Sequence, residues 1–391
     1  MKFYLNAVLN YIKKKWLTLL SLLVITLIFF INKSIDQLSF KLFTFLLLTV
    51  LFQIFFFRKS SYTLYLIRSL VIILMLFELV CGKLLSLKIE PTIKLVADTH
   101  IITDSILGYR LMPNIDSAKS EKFINEKPIY SVYYSTDVYG RRIPENLKPS
   151  LTRRDKHLIL LGCSFTFGEG LKYESSIPAI LNREDSTLNT YNYGLSGFGP
   201  HQNLLLFGQG LNLINRKSIK EESGFLLYTF IIAHLDRVYG SSDYLKFGAL
   251  TPDVFIEDGK LITKRRSKIQ LLLSEVIWMS NTLKYFNVKL NYPQNEEFYK
   301  RFAAIINMTS KDYHKVFPNS KFLIGIYPGQ NKDLKWLKYL EKEIIVIEVP
   351  APIDYASKKY KYVLHENHDR HPNQVLNEYY ANFVLNILNK N

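Results

Sequence analysis

Three long apolar stretches crowd into the first ninety residues, at 16–31, 42–57 and 64–84. A helix needs about 20 apolar residues to cross the hydrocarbon core of a bilayer, with about 17 as a lower limit. The first two stretches are slightly short unless their flanks contribute, as Leu38 and Phe40 do for the second. The third contains Arg68, which can snorkel to the interface, and Glu78, which must face a helix partner or water. No small-x-small cleavage site follows Ile31, and further apolar runs come soon after, which argues against a cleaved signal peptide. The expectation is a membrane anchor of about three transmembrane helices over 1–90. Lys13, Lys14 and Lys15 precede the first stretch, and Arg58 and Lys59 separate the second from the third. The inside-positive bias therefore places the N-terminus in the cytoplasm. Three spans put the rest of the chain on the extracytoplasmic side of the cytoplasmic (inner) membrane. Two would leave it in the cytoplasm.

Charge and cysteine content narrow the function classes. The chain carries 50 Lys and Arg against 34 Asp and Glu, a formal net charge of +16. Many of the lysines flank apolar stretches, and no helix-turn-helix, zinc-finger or RNA-binding signature accompanies them, so nucleic acid is not the expected partner. A basic surface near anionic lipid or an acidic polymer is the better use of that charge. Two cysteines, Cys81 and Cys163, make neither a disulfide framework nor a zinc site.

After 90 the composition becomes mixed polar and aromatic. Alternation across 91–154, including Tyr130-Ser131-Val132-Tyr133-Tyr134, suggests short extended segments, and Thr136 to Arg142 reads as a turn with a basic exit. From 157 the pattern changes. A continuous apolar run at 157–161 reads as a buried parallel strand, with further strands at 189–193, 224–232, 322–327 and 344–349. Helices are expected at about 201–215, 268–286, 296–316, 332–342 and 373–388. An Asp258-Gly259 turn makes 254–263 a hairpin within an insertion at about 240–318. Strands alternating with helices imply an α/β domain over 155–391 with a mainly parallel sheet covered on both faces.

Three segments carry chemistry. In the first, a buried strand ends in Gly162-Cys163-Ser164, followed by Gly168 and Gly170. A serine beyond the carboxyl end of a strand in an open α/β sheet projects into the ligand crevice. A helix starting there would offer free N–H groups to a developing oxyanion. The bland reading is a glycine-rich turn with a capping serine. A phosphate loop is excluded because no Lys-Ser/Thr follows the glycines. The second segment, Tyr191 to Pro200, ends another strand in a glycine cluster where backbone approaches substrate closely. The third, His368-Asp369-Arg370-His371-Pro372-Asn373, precedes the last helix. A serine hydroxyl needs a base, histidine suits neutral pH, and a carboxylate would fix its tautomer.

In this order the three segments resemble the blocks of the SGNH/GDSL hydrolase superfamily. Gly162-Cys163-Ser164 resembles its Gly-Asp-Ser block, with cysteine in place of aspartate. Asn192 through Gly197 resembles the block that supplies an oxyanion-hole glycine, here Gly197. Asp369 and His371 resemble the C-terminal acid-plus-histidine block. The stretch from Tyr134 to Arg141 resembles one that precedes this domain in membrane-anchored members. The resemblance implies a three-layer, flavodoxin-like domain preceded by transmembrane helices, with Ser164 as nucleophile, His371 as base and Asp369 as its acid. It also implies an oxyanion hole built on Ser164 and Gly197.

Two departures stand out. The family's acid lies three residues before the histidine, and His368 occupies that position here. Where the family has Gly-x-Asn-Asp, the strand here ends Ile231-Ile232-Ala233-His234-Leu235-Asp236-Arg237 with no asparagine, so either His234 donates to the oxyanion through a ring N–H or it is a packing histidine. Losing one oxyanion donor costs on the order of 3 kcal/mol of transition-state stabilisation. The implied function is an extracytoplasmic serine esterase acting on an envelope polysaccharide, glycolipid or lipid ester, without metal or cofactor. The same triad serves an O-acyltransferase, which would need a membrane acyl-donor partner. A diverged SGNH fold that binds or scaffolds without turnover is the alternative outside catalysis.

Overall fold

A computed structural model of the chain describes residues 62–87, 91–145, 154–207, 211–239, 251–257, 260–264, 267–288 and 295–390. The chain divides into two units, Met1–Val80 and Cys81–Asn391. The apolar stretches at 16–31 and 42–57 lie outside the described residues. The third falls within helix α1, Tyr62–Leu87. Among the described residues no helix is long and apolar enough to cross a membrane.

After residue 90 come antiparallel strands: β1 (Ile93–Ala97), β2 (Ile101–Asp104), β3 (Gly108–Leu111), β4 (Ala118–Ile124), the Tyr-rich β5 (Lys127–Thr136) and the short β6 (Arg142–Ile143). The apolar run read at 157–161 is β7 (Lys156–Leu161), followed by helices α2 (Ser164–Phe167) and α3 (Ile177–Glu184). Then come β8 (Leu188–Asn192), α4 (Pro200–Leu204), β9 (Ser223–Phe230) and α5 (Ala233–Tyr239). The hairpin β10 (Asp253–Glu257) and β11 (Lys260–Lys264) precedes α6 (Lys268–Met279), α7 (Asn281–Tyr285) and α8 (Glu296–Val316). The chain closes with β12 (Lys321–Ile326), β13 (Ile345–Glu348), the small hairpin β14 (Val363–His365) and β15 (Asp369–Pro372), and α9 (Gln374–Leu388).

Nine strands form one sheet in the order β1-β4-β5-β6-β8-β7-β9-β12-β13. The sheet is mixed rather than mainly parallel. Strands β8, β7, β9, β12 and β13 are parallel, while β1, β4, β5 and β6 run antiparallel and join them where Arg142 pairs with Asn192. Strands β1, β4, β5 and β6 therefore extend the parallel sheet, while β2 and β3 pair only with each other. Within the parallel part the chain moves from β7 out to β8, then back past β7 to β9. That reversal is a topological switch point, where a crevice opens beyond the strands' carboxyl ends.

Because successive side chains point to opposite faces, β7 feeds two cores. Ile159 and Leu161 join Leu226, Tyr228, Ile324 and the Phe302 and Ile306 side of α8. Leu158 and Leu160 join Leu227, Leu323, Ile177 and Ile180 of α3, and Tyr380 and Val384 of α9. The result is an α/β domain with helices on both faces.

Three helices are shorter than the apolar spacing suggests. The helix expected over 201–215 ends at Leu204, and Asn212 has a positive φ of 50°. The stretch at 268–286 breaks at Ser280, whose side chain caps α7 by accepting from the Leu283 N–H. The stretch at 332–342 holds only a 3₁₀ segment, Leu334–Tyr339. At Ser280 the hydroxyl satisfies a backbone group and so competes with helix propagation.

Leu160 is fully buried at the centre of this arrangement. Leu160→Ala should destabilise the chain by about 2–5 kcal/mol in urea unfolding followed by circular dichroism. A loss below about 1 kcal/mol would contradict a close-packed second face.

Candidate active site

The tip of β7 is built so that only glycine fits. Gly162 has a φ of 154°, and a Cβ there would lie 2.2 Å from the Thr166 hydroxyl oxygen. The next turn is equally tight against its neighbour: a Cβ on Gly194 would fall 2.6 Å from the Phe167 N. The loops after β7 and β8 thus meet backbone to backbone. Asn192 stitches them, donating its side-chain amide to the Thr166 carbonyl at 3.2 Å and accepting from the Gly194 N–H at 3.0 Å.

Ser164 opens α2, so its N–H has no intrahelical acceptor. The residue is 5% exposed, and its hydroxyl lies 4.0 Å from the Cys163 sulfur. Cys163 itself is buried in the core with Leu160 and Ile177. The far end of α2 is held by Arg142, a fully buried guanidinium. It donates to the carbonyls of Phe167 and Gly168 at 2.7 Å each and of Leu171 at 2.6 Å. The same group lies over the rings of Tyr134 and Phe167. The turn with a basic exit seen in the sequence is therefore a clamp on the segment that carries Ser164.

Gly197 lies in a turn closed by the Phe198 N–H donating to the Leu195 carbonyl at 3.0 Å, with a φ of 81° that suits glycine at this position. Two side chains pin this loop from outside. The Tyr109 hydroxyl donates to the Ser196 carbonyl at 2.9 Å, and Arg237 donates to the Phe198 carbonyl at 2.7 Å. Among the described residues the Gly197 N–H donates to no partner.

Asp369 and His371 sit two apart on β15, so their side chains share one face of the strand. The imidazole Nδ1–H donates to Asp369 Oδ1 at 2.6 Å, and the His371 backbone N–H donates to the same oxygen at 3.1 Å. The other carboxylate oxygen, Oδ2, accepts from Lys122 of β4 at 2.8 Å. Burial works against the Asp369 charge, but His371 and Lys122 hold the carboxyl well below the usual range. His368, where the family's acid would stand, has its ring 5.0 Å from that of His365.

The structure brings the tip of β7 close to the β14–β15 hairpin. The Phe165 ring, next to Ser164, lies 5.8 Å from the His371 ring. The imidazole Nε2 faces Glu169, 3.6 Å from Oε2, and that carboxylate accepts from the Ser196 hydroxyl at 2.5 Å. In this state Ser164 and His371 share no direct hydrogen bond. Burial lowers the histidine pKa, but the Glu169 and Asp369 carboxylates outweigh it and the Lys122 charge, leaving the imidazole raised above its ordinary value. When protonated, the imidazole sits between two carboxylates, and the group acts as a base only once that proton is lost.

His234 lies at the start of α5, fully buried, with Nδ1 on the Tyr228 hydroxyl at 2.6 Å. Its Nε2 has no hydrogen-bond partner among the described residues, and burial keeps the ring neutral. Among the described residues no group of three or more metal-ligating side chains occurs.

Lys122, Glu169 and Arg142 were missing from the site read in the sequence. Glu169 was within the first glycine-rich segment, and its nearness to Ser164 was the available signal. Nothing local marks Lys122.

No protein-family model matches the chain, and no curated protein matches it. Solved structures with a similar backbone include an acetyl xylan esterase (Est2A) from Butyrivibrio proteoclasticus, at 10% identity and a TM-score of 0.38, covering 77% of this chain and 84% of that one. A family two carbohydrate esterase from Cellvibrio japonicus has 10% identity and a TM-score of 0.34, covering 77% and 98%. A member of the lipolytic protein G-D-S-L family from Veillonella parvula has 14% identity and a TM-score of 0.33, covering 60% and 100%. At these scores the likeness is loose.

If His371 acts as a base, activity rises with pH through its deprotonation, at a midpoint above the ordinary histidine value near 6.5. Glu169→Gln removes a group that favours the protonated form, so the midpoint should fall. Ester hydrolysis across pH 5–9 checks this, and an unmoved or higher midpoint would contradict the assigned contact.

Proposed function

We propose that the chain is a serine esterase of the SGNH type, with Ser164 as nucleophile, His371 as base and Asp369 as the acid that orients it. The observation that carries this reading is the approach of the β7 tip to the Asp369–His371 pair across the crevice at the sheet's switch point. In turnover His371 Nε2 leaves Glu169 and takes the proton of the Ser164 hydroxyl as that oxygen attacks the ester carbonyl. Asp369 holds the tautomer and stabilises the imidazolium. The N–H groups of Ser164 and Gly197 donate to the oxyanion, with His234 Nε2 as a third donor if its ring reaches the pocket. The imidazolium then protonates the leaving alcohol, and water, deprotonated in turn by His371, releases the acid.

The fold reading extends to the flavodoxin-like order of the parallel strands, 2-1-3-4-5 from β8 through β13. The substrate proposed is an acylated carbohydrate, glycolipid or lipid of the cell envelope. A membrane anchor over 1–90 would hold the catalytic domain on the extracytoplasmic side of the cytoplasmic membrane. The apolar stretches support it, as do the exposed Leu70, Ile73, Leu74 and Phe77 of α1. Acyl transfer to a sugar hydroxyl would use the same residues. Product analysis with and without a sugar acceptor separates transfer from hydrolysis.

A fluorophosphonate probe should form one adduct on the wild type. Ser164→Ala should lose the adduct and lower ester hydrolysis by at least about 10³-fold, with an unchanged circular dichroism spectrum. A wild type that stays unlabelled where a control esterase reacts would favour a non-catalytic binding protein.

A further inference from the structure

The acid of this site is displaced from its family position, and the structure shows what holds it. Asp369 lies on a strand, where an Asp-x-His spacing puts both side chains on one face. Oδ1 accepts from both the His371 ring and its backbone N–H, so the ring contact depends on the rotation of the carboxylate. Rotation would withdraw Oδ1 from the imidazole. Oδ2 is occupied by the Lys122 ammonium at 2.8 Å, and the Asp369 side chain is wholly buried. Both carboxylate oxygens are thereby committed, one to His371 and one to Lys122.

The sheet extension is shaped to deliver that lysine. Lys122 lies on β4, opposite Tyr130 of β5 and Leu95 of β1. The β4–β5 register shifts between Lys122 and Phe123. A bulge at such a point twists a strand and re-aims its side chains, and bulges are over-represented beside active sites. Lys119, on the same strand, shows the ordinary alternative: it makes an exposed pair with Glu121 at 3.0 Å. The Lys122 side chain, by contrast, is 19% exposed.

We propose that Lys122 is a positioning residue of the catalytic site, whose ammonium fixes the Asp369 carboxylate in the orientation that presents Oδ1 to His371. The assignment rests on the esterase reading of Ser164 and His371. It makes β4 part of the site, since that strand supplies the cation that the strand-borne acid needs. The groups facing His371 are then Glu169 after α2, Asp369 on β15, Lys122 on β4, and Tyr130 on β5 through its interaction with both carboxylates. Of these only Lys122 opposes protonation of the imidazole.

The test uses the full chain and p-nitrophenyl acetate, comparing wild type with Lys122→Met, Lys122→Arg and the surface control Lys119→Met. Lys122→Met should lower kcat by about 10- to 100-fold with KM within about twofold, and should move the acidic limb of the pH profile to higher pH. Lys122→Arg, which keeps the charge, should recover most of kcat, and Lys119→Met should match wild type. A folded Lys122→Met with wild-type kcat and pH profile overturns the assignment, as does an arginine variant as slow as the methionine one. If Lys122→Met does not fold, the pair is tested on Asp369→Asn, which no longer needs a cation. There Lys122→Met should cost nothing further, and an additional loss of kcat overturns the assignment. A wild type that neither hydrolyses the ester nor labels overturns the esterase reading and this one with it. An active wild type with an unaffected Lys122→Met overturns this one alone.

Discussion

The contact between Phe165 and His371 joins the tip of β7 to the last hairpin of the chain. At 5.8 Å between rings it is a modest van der Waals contact. Its weight comes from what each partner carries: Phe165 follows the serine, and His371 bears the imidazole. Neither end has much freedom. The serine is placed by a glycine turn that tolerates no Cβ and by the Arg142 clamp on the carbonyls behind it. The histidine is placed by Asp369, which is itself buried and held by Lys122.

Charge organises the crevice that results. Two carboxylates flank one imidazole, and one ammonium backs the buried carboxylate. Glu169 is tied by Ser196, in the loop that carries Gly197. In the proposed reaction a substrate would meet the Gly197 loop, Glu169 and His371 together. Drawing Nε2 away from Glu169 is the local rearrangement that would bring the base to the serine.

Much of this organisation is written locally. The unbroken apolar run before Gly162 marks a strand buried on two faces, and β7 feeds both cores. Asp369 and His371 are close in sequence, and their pairing needs only the period of a strand. What the sequence conceals is long-range. Lys122 reaches Asp369 across 247 positions, and one lysine among many basic residues carries no mark of that. Arg142 was legible as a turn residue only, because its carbonyl acceptors lie on another element. The mixed character of the sheet escaped for the same reason: a single pairing, Arg142 with Asn192, fuses the antiparallel strands to the parallel ones. Helix ends were misjudged where Ser280 and Asn212 offered the backbone other hydrogen bonds or a left-handed turn.

A crystal structure of the chain phosphonylated by a fluorophosphonate tests the convergence directly. It should show phosphorus bonded to Ser164 Oγ, a phosphonyl oxygen within about 3 Å of the Gly197 N, and His371 Nε2 turned from Glu169 toward the adduct. Phosphorus on another side chain, or a Ser164 adduct facing away from an imidazole still seated on Glu169, would contradict a shared crevice.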